Sequence, residues 1–124
     1  METKKTSCNC SDSGEFTVMA CSGASDVGQL SDLVARKLRD SNQRVMKCLA
    51  MVASGDEKFI ESCKSANVLV IDGCPVDCGR KIMEKAGLTN YNYIRLSDWG
   101  YKKGQAPATP ELIKEVYEKA VLYC

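Results

Sequence analysis

Four of the eight cysteines in this 124-residue chain sit where a parallel sheet would bring them together. Cys21 follows the run Phe16-Thr17-Val18-Met19-Ala20, and Cys48 follows Val45-Met46-Lys47. Cys74 follows Val68-Leu69-Val70-Ile71-Asp72-Gly73, with Cys78 beyond it. Open α/β sheets bind ligands at the carboxyl ends of their strands. Thiolates delivered there from distant parts of a chain are soft donors, and four of them close a tetrahedron around zinc. Four sulfurs would equally hold an iron–sulfur cluster, and the sequence does not separate the two. The chain has no histidine. A metal site must therefore be built from sulfur and oxygen, and the commonest general base is missing.

Any one of these cysteines alone would read as a small buried hydrophobe. Their shared position at strand ends is what points to metal. Cys74 and Cys78 straddle a helix start and can present their sulfurs to the same side. Helices beginning after Cys21 and Cys74 would aim the positive ends of their dipoles at the site. That lowers thiol pKa values and offsets the charge of a four-thiolate zinc centre. Cys63 and Cys124 lack such placement and read as core or surface thiols. Cys8 and Cys10 fall in a polar, aperiodic segment, residues 1–14, expected to be a flexible tail. They are either an incidental pair or an arm that carries metal to and from the main site. Asp26, Asp72 and Asp77 could serve as acid or base near the cysteines, but helix starts and turn support are the expected roles. Trp99, Tyr101 and Lys103 lie on a loop that would reach the same sheet edge, and surface packing is expected of them rather than a lid.

The elements that must position these residues follow from periodicity and punctuation. A strand from Phe16 leads through Ser22-Gly23-Ala24-Ser25 into a helix expected to begin at Asp26, with Gln29 at capping-box spacing. Its apolar positions Val27, Leu30, Leu33, Val34 and Leu38 share one face. A second strand is expected near Arg44–Leu49, and Ala50–Gly55 stays unassigned. A short helix follows over Glu57–Lys64. The third strand, Asn67–Asp72, is the clearest, a continuous apolar run ended by glycine. Pro75 suits a first helical position, predicting a helix to Ala86 closed by Gly87. Tyr91–Leu96 reads as a fourth strand. After the loop Gly100–Gly104, Thr109-Pro110-Glu111 opens a last helix burying Leu112, Ile113, Val116, Tyr117, Ala120 and Val121. Alternating strands and helices predict a single α/β domain over residues 15–124: an open, mostly parallel sheet of about four strands with helices on both faces, a Rossmann-like three-layer arrangement.

Composition narrows the function classes. Seventeen basic residues balance 16 acidic ones, and the lysine pairs are isolated, so nothing suggests a nucleic-acid partner. No signal peptide and no membrane-length apolar run is seen, so a soluble cytoplasmic protein without membrane association is expected. In a reducing compartment clustered cysteines favour metal binding or catalysis over cross-links. A chain of this length can bury a core unaided, so a bound metal is free to be functional.

Taken together, Asp72-Gly73-Cys74-Pro75-Val76-Asp77-Cys78, Ala20-Cys21-Ser22-Gly23-Ala24-Ser25-Asp26-Val27-Gly28-Gln29-Leu30 and Cys48-Leu49-Ala50 resemble the DGC-domain family, named for its Asp-Gly-Cys motif. The resemblance covers about residues 16 to 104. It implies a zinc site with four chelating cysteines, matching Cys21, Cys48, Cys74 and Cys78, and implies no particular activity. The loop Cys21–Ser25 is also locally similar to the phosphocysteine loop of sugar phosphotransferase IIB domains, where backbone N–H groups cradle an anion. It is less like the Cys-x5-Arg loop of tyrosine phosphatases, since Val27 stands where arginine should. Three readings result: a zinc-binding module for metal sensing, storage or delivery; a thiol-dependent enzyme or sulfur or phosphoryl carrier using Cys21; and an iron–sulfur protein. Catalytic residues are not identifiable. A closed four-thiolate site would leave no position for water, which argues against hydrolytic zinc chemistry.

Overall fold

The computed structural model describes residues 15–73 and 76–122. Strands β1 (Phe16–Ala20), β2 (Val45–Met46), β3 (Asn67–Asp72) and β4 (Tyr91–Arg95) form one parallel sheet in the order β2-β1-β3-β4. Parallel neighbours require crossovers. These are made by α1 (Asp26–Asp40), by α2 (Leu49–Ala53) with α3 (Glu57–Lys64), and by α4 (Cys78–Lys85), while α5 (Pro110–Val121) ends the domain.

The two-residue alternation of the central strands sorts these helices into layers. Val18, Ala20, Leu69 and Ile71 face one way, into a core completed by Val27, Leu30 and Val34 of α1 and Val116 and Ala120 of α5. Met19, Val68 and Val70 face the other way, against Leu49 and Val52 of α2, Cys63 of α3 and Met83 of α4. The expected open three-layer α/β domain is what the chain forms. Strand order reverses between β1 and β3: the chain leaves β1 toward β2 and leaves β3 toward β4, which makes the carboxyl ends of β1 and β3 the topological switch point.

Several boundaries differ from expectation. Helix α1 begins at Asp26 as expected, but its cap is Ser25, whose hydroxyl accepts from the Gly28 amide at 3.1 Å. Asp26 is engaged elsewhere: its carboxylate accepts from the amides of Gly104 at 2.9 Å and Ala106 at 3.0 Å, tying the loop before α5 to the start of α1. The second strand is only Val45–Met46, because Cys48 already caps α2 and the apolar run that follows is helix. Arg44 is buried and donates to the carbonyls of Thr17 and Asn67. Helix α4 starts at Cys78, three residues beyond Pro75, after Asp77 in the left-handed conformation at φ 63° and ψ 41°. A 3-10 turn over Leu96–Trp99 ends β4 at Arg95. The last helix opens as predicted, Thr109 Oγ1 accepting from the Leu112 amide. Among the described residues no helix is long and apolar enough to cross a membrane.

Asp26 makes this architecture acid-sensitive at one point. The Gly104 amide first, and Ala106 second, hold its carboxyl below the ordinary value of 3.8. A folded pKa depressed in this way contributes stability that is complete above the unfolded value and is lost as pH falls through the folded one. The loop anchor should therefore loosen on acidification below about pH 4. Hydrogen exchange at Gly104 and Ala106 should lose protection there. Asp26→Asn should show weakened protection already at neutral pH and no such acid step; an unchanged step would place its origin elsewhere.

Candidate functional site

The Asp-Gly-Cys segment begins on a buried polar cap. Asp72 ends the central strand β3 at 1% exposure. Its Oδ1 accepts from the Gly79 amide at 2.8 Å and its Oδ2 from the Arg80 amide at 3.1 Å. These are first-turn amides of α4, which the helix itself leaves without acceptors. Across the sheet, the Tyr93 hydroxyl donates to Asp72 Oδ2 at 2.6 Å and lies 3.2 Å from Asp77 Oδ1. Burial first, and the Asp72 hydrogen bond second, push the Tyr93 phenol far above its ordinary range, so it stays a donor at any working pH. Asp77 in turn accepts from Arg80 Nη2 at 2.7 Å and Arg95 Nη2 at 3.2 Å, with Arg95 Nε 2.9 Å away as an ion pair. Two guanidinium groups thus hold the residue whose left-handed backbone turns the chain into α4. Asp72 and Asp77 carry structural roles, and neither reading from spacing revealed their partners Tyr93, Arg80 and Arg95.

Gly73 serves close approach. A Cβ there would lie 2.5 Å from the Val27 carbonyl oxygen, 2.6 Å from its carbon and 3.0 Å from the Gly28 nitrogen. A Cβ on Gly28 would in turn lie 2.6 Å from the Gly23 nitrogen. The end of β3, the first turn of α1 and the loop after Cys21 therefore stack backbone on backbone, with no side chain between them. The three nearest obstructing atoms at Gly73 are all main chain, so Gly73→Ala cannot be relieved by moving the end of a flexible side chain. It should lower stability by at least ~2 kcal/mol in urea denaturation, at the upper part of the overpacking range. A loss under ~0.5 kcal/mol would show that the stack yields freely.

The same stacking uses up the helix amides. Val27 N–H donates to its neighbour Asp26 Oδ1, Gly28 N–H to Ser25 Oγ and Gln29 N–H to the Ser25 carbonyl. The Cys21–Ser25 loop is thus a strand-to-helix turn capped by Ser25, with the Val27, Gly28 and Gln29 amides engaged within the chain.

Cys21 prolongs the pairing of β1, its amide donating to the Ile71 carbonyl at 3.0 Å, and its own carbonyl accepts from Ser31 Oγ at 2.6 Å. It is half-buried, whereas Cys48 at the start of α2 and Cys78 at the start of α4 are exposed. These three thiols, carried by three separate elements, line one cavity of about 600 Å³. Ala20, Met46, Leu49 and Ile82 supply apolar wall, and Asp32, Arg36, Arg39 and Lys47 supply charge. Arg36 pairs with Asp32 at 2.8 Å, and Ser22 Oγ also donates to Asp32. Among the described residues no three Cys, Asp or Glu side chains stand close enough together to hold a metal ion. The three thiols are donors of the kind that suits a soft metal. Cys74, the fourth predicted ligand, lies outside the described residues, as do Cys8, Cys10 and the rest of residues 1–14, Pro75 and Cys124.

Cys63 is a different kind of thiol. It is packed in the core beside α2 and α4, and burial pushes its pKa up. Tyr101 is buried, its hydroxyl bonded to Glu115 and to Lys119 Nζ, and Trp99 packs on the core beneath α5. These two aromatics are packing residues.

A parallel α/β domain whose central strand ends in an aspartate capping the next helix, with thiols lining a cavity at the carboxyl edge, defines a distinct class. The family model of the DGC domain matches residues 17–120, and the chain belongs to that family. It is similar to the anaerobic and virulence modulator AnvM of Pseudomonas aeruginosa, with 31% identity over 87 residues. That match spans 69% of this chain and 66% of the relative, slightly less than two thirds of the relative's length. No solved structure matches the chain.

Proposed function

We propose that this protein binds one soft metal ion, zinc in the first instance, through the thiolates of Cys21, Cys48, Cys74 and Cys78, as a module for metal sensing, storage or delivery. One observation supports the reading above others: three of those cysteines, far apart in sequence and placed just after β1, just before α2 and at the first residue of α4, line the same cavity. Thiolates select zinc, copper(I) or iron–sulfur centres over hard cations. Bound zinc would supply a cross-link between the two helix starts and the end of β1. The similarity to a protein named as a modulator favours a regulatory use of that cross-link over a metabolic reaction.

Elemental analysis and a visible spectrum of protein purified anaerobically test this. Close to one colourless zinc per chain is expected. Iron with sulfide absorption would move the protein to the cluster reading, and a metal-free chain that takes up neither would overturn both.

The nucleophile reading of Cys21 draws support from its place at the head of the strand-to-helix loop, half-buried and lining the cavity. Alkylation separates it from metal binding. Slow modification of Cys21 in the zinc-loaded protein and fast modification after chelation is the expected pattern. Fast, selective labelling with zinc fully retained would instead favour the nucleophile.

A further inference from the structure

The charge and size of the thiol cavity say in what form the metal arrives. A finished four-thiolate zinc site is closed and needs no volume beyond the ion. The cavity here, about 600 Å³, is instead in the range of small-molecule sites. Among the described residues three cations, Arg36, Arg39 and Lys47, line it against one carboxylate, Asp32. Arg36 and Arg39 are about half exposed, at 49% and 47%, and Lys47 is 36% exposed. The carboxylates paired with Arg39 and Lys47, Asp40 and Glu15, do not line the cavity. Solvated ion pairs of this kind are weak, so these cations can turn to an incoming anion with little loss. A bare divalent ion approaching the thiols would meet net positive walls, while an anionic complex of the same ion would be drawn in.

The geometry points to an anionic low-molecular-weight thiol, bearing carboxylates, as the carrier from which this cavity takes its metal; this rests on the metal-binding reading above. Carboxylates of the carrier engage Arg36, Arg39 and Lys47, which brings its metal–sulfur bond beside Cys48 and Cys78. Transfer is then ligand exchange without redox change. A cysteine sulfur forms a bond to the metal as the carrier's metal–sulfur bond breaks, and the cysteine proton leaves with the departing carrier thiolate. Each exchange conserves charge and needs no further reactant.

The test uses the full chain, metal-free and anaerobic, with cobalt(II) as a coloured substitute for zinc. Uptake is followed by sulfur-to-cobalt charge-transfer absorption from three sources: cobalt chloride, cobalt with reduced glutathione, and cobalt with the neutral thiol 2-mercaptoethanol. Uptake from the glutathione complex should be about tenfold faster than from the mercaptoethanol complex and should lose that advantage in high salt. The double variant Arg36→Gln/Arg39→Gln, and independently Lys47→Gln, should reduce the advantage with circular dichroism and final metal content unchanged. Equal rates from the anionic and neutral carriers, or an advantage indifferent to all three cations, would overturn the inference while leaving metal binding intact. Failure to retain cobalt or zinc from any source would overturn the metal reading and this one together.

Discussion

Asp72→Ala is expected to destabilise the metal-free protein by about 3–5 kcal/mol, the sum of a lost helix cap and a lost buried acceptor. The carboxylate is the acceptor for three donors at once: the Gly79 and Arg80 amides and the Tyr93 hydroxyl. Alanine would leave the two helix amides without this acceptor, the Gly79 amide in a buried position, while the Tyr93 hydroxyl keeps Asp77 Oδ1 at 3.2 Å; each donor that finds no substitute costs roughly 1–3 kcal/mol. Against a typical domain stability of about 5–15 kcal/mol, that is enough to leave the fold marginal. Urea denaturation should show a lower midpoint with an unchanged slope. Asp72→Asn keeps one acceptor oxygen but turns an NH2 group toward a donor, so an intermediate loss is expected. Tyr93→Phe removes the hydroxyl shared between Asp72 and Asp77 but leaves both amides capped, so it should lose less than Asp72→Ala, about 1–2 kcal/mol. If Asp72→Ala stays within about 1 kcal/mol of wild type, those amides are solvated and the cap contributes nothing. The consequence for the site is direct, because Cys78 is the first residue of the helix that Asp72 caps.

What was legible in the sequence, and what was not, divides by the range of the interactions responsible. The Val-Leu-Val-Ile run of β3 could be read because both of its faces are buried and no alternation obscures it. The start of α5 could be read because a threonine cap followed by proline is local chemistry. The Asp-Gly-Cys segment was recognisable as a site, yet what Asp72 does depends on Tyr93, which is 21 residues away and reaches it only through the parallel β3–β4 pairing. Ser25 and Asp26 are both good capping residues. The choice between them is made by Gly104 and Ala106, which occupy Asp26 from 78 and 80 residues away. Pro75 suggested an early start for α4, but Asp72 fixes the capped amides at Gly79 and Arg80. The five-residue helix α2 is too short for periodicity to distinguish it from strand. Nothing in the local sequence sets Arg36 and Arg39 apart, and only the folded chain shows them lining the same cavity as Cys48.

Substituting the proposed ligands should produce a pattern opposite to that of the remaining core thiol. Cys48→Ser and Cys78→Ser each exchange an exposed soft donor for a hard hydroxyl that stays protonated, so zinc affinity should fall about a hundredfold or more, as expected when one of four thiolates is lost. Both side chains are exposed, so the metal-free protein should keep its stability within about 0.5 kcal/mol. Cys21→Ser should weaken zinc similarly and Cys74→Ser likewise, the first with some loss of packing because Cys21 lies partly against the core beside α2 and α4. Cys63→Ser should do the reverse. At 5% exposure among apolar neighbours it places a hydroxyl in the core, for a loss of about 1–3 kcal/mol with zinc content unchanged. Zinc competition against a chelator, paired with urea denaturation of each metal-free variant, reads both axes. The pH dependence adds a further check: thiolates must shed protons to bind, so wild-type affinity falls as pH falls, and each ligand variant, with one thiol fewer, should show a shallower slope. Unchanged zinc affinity in both Cys48→Ser and Cys78→Ser would remove those two from the site, and a matching loss in Cys63→Ser would show that the effect is one of folding rather than coordination.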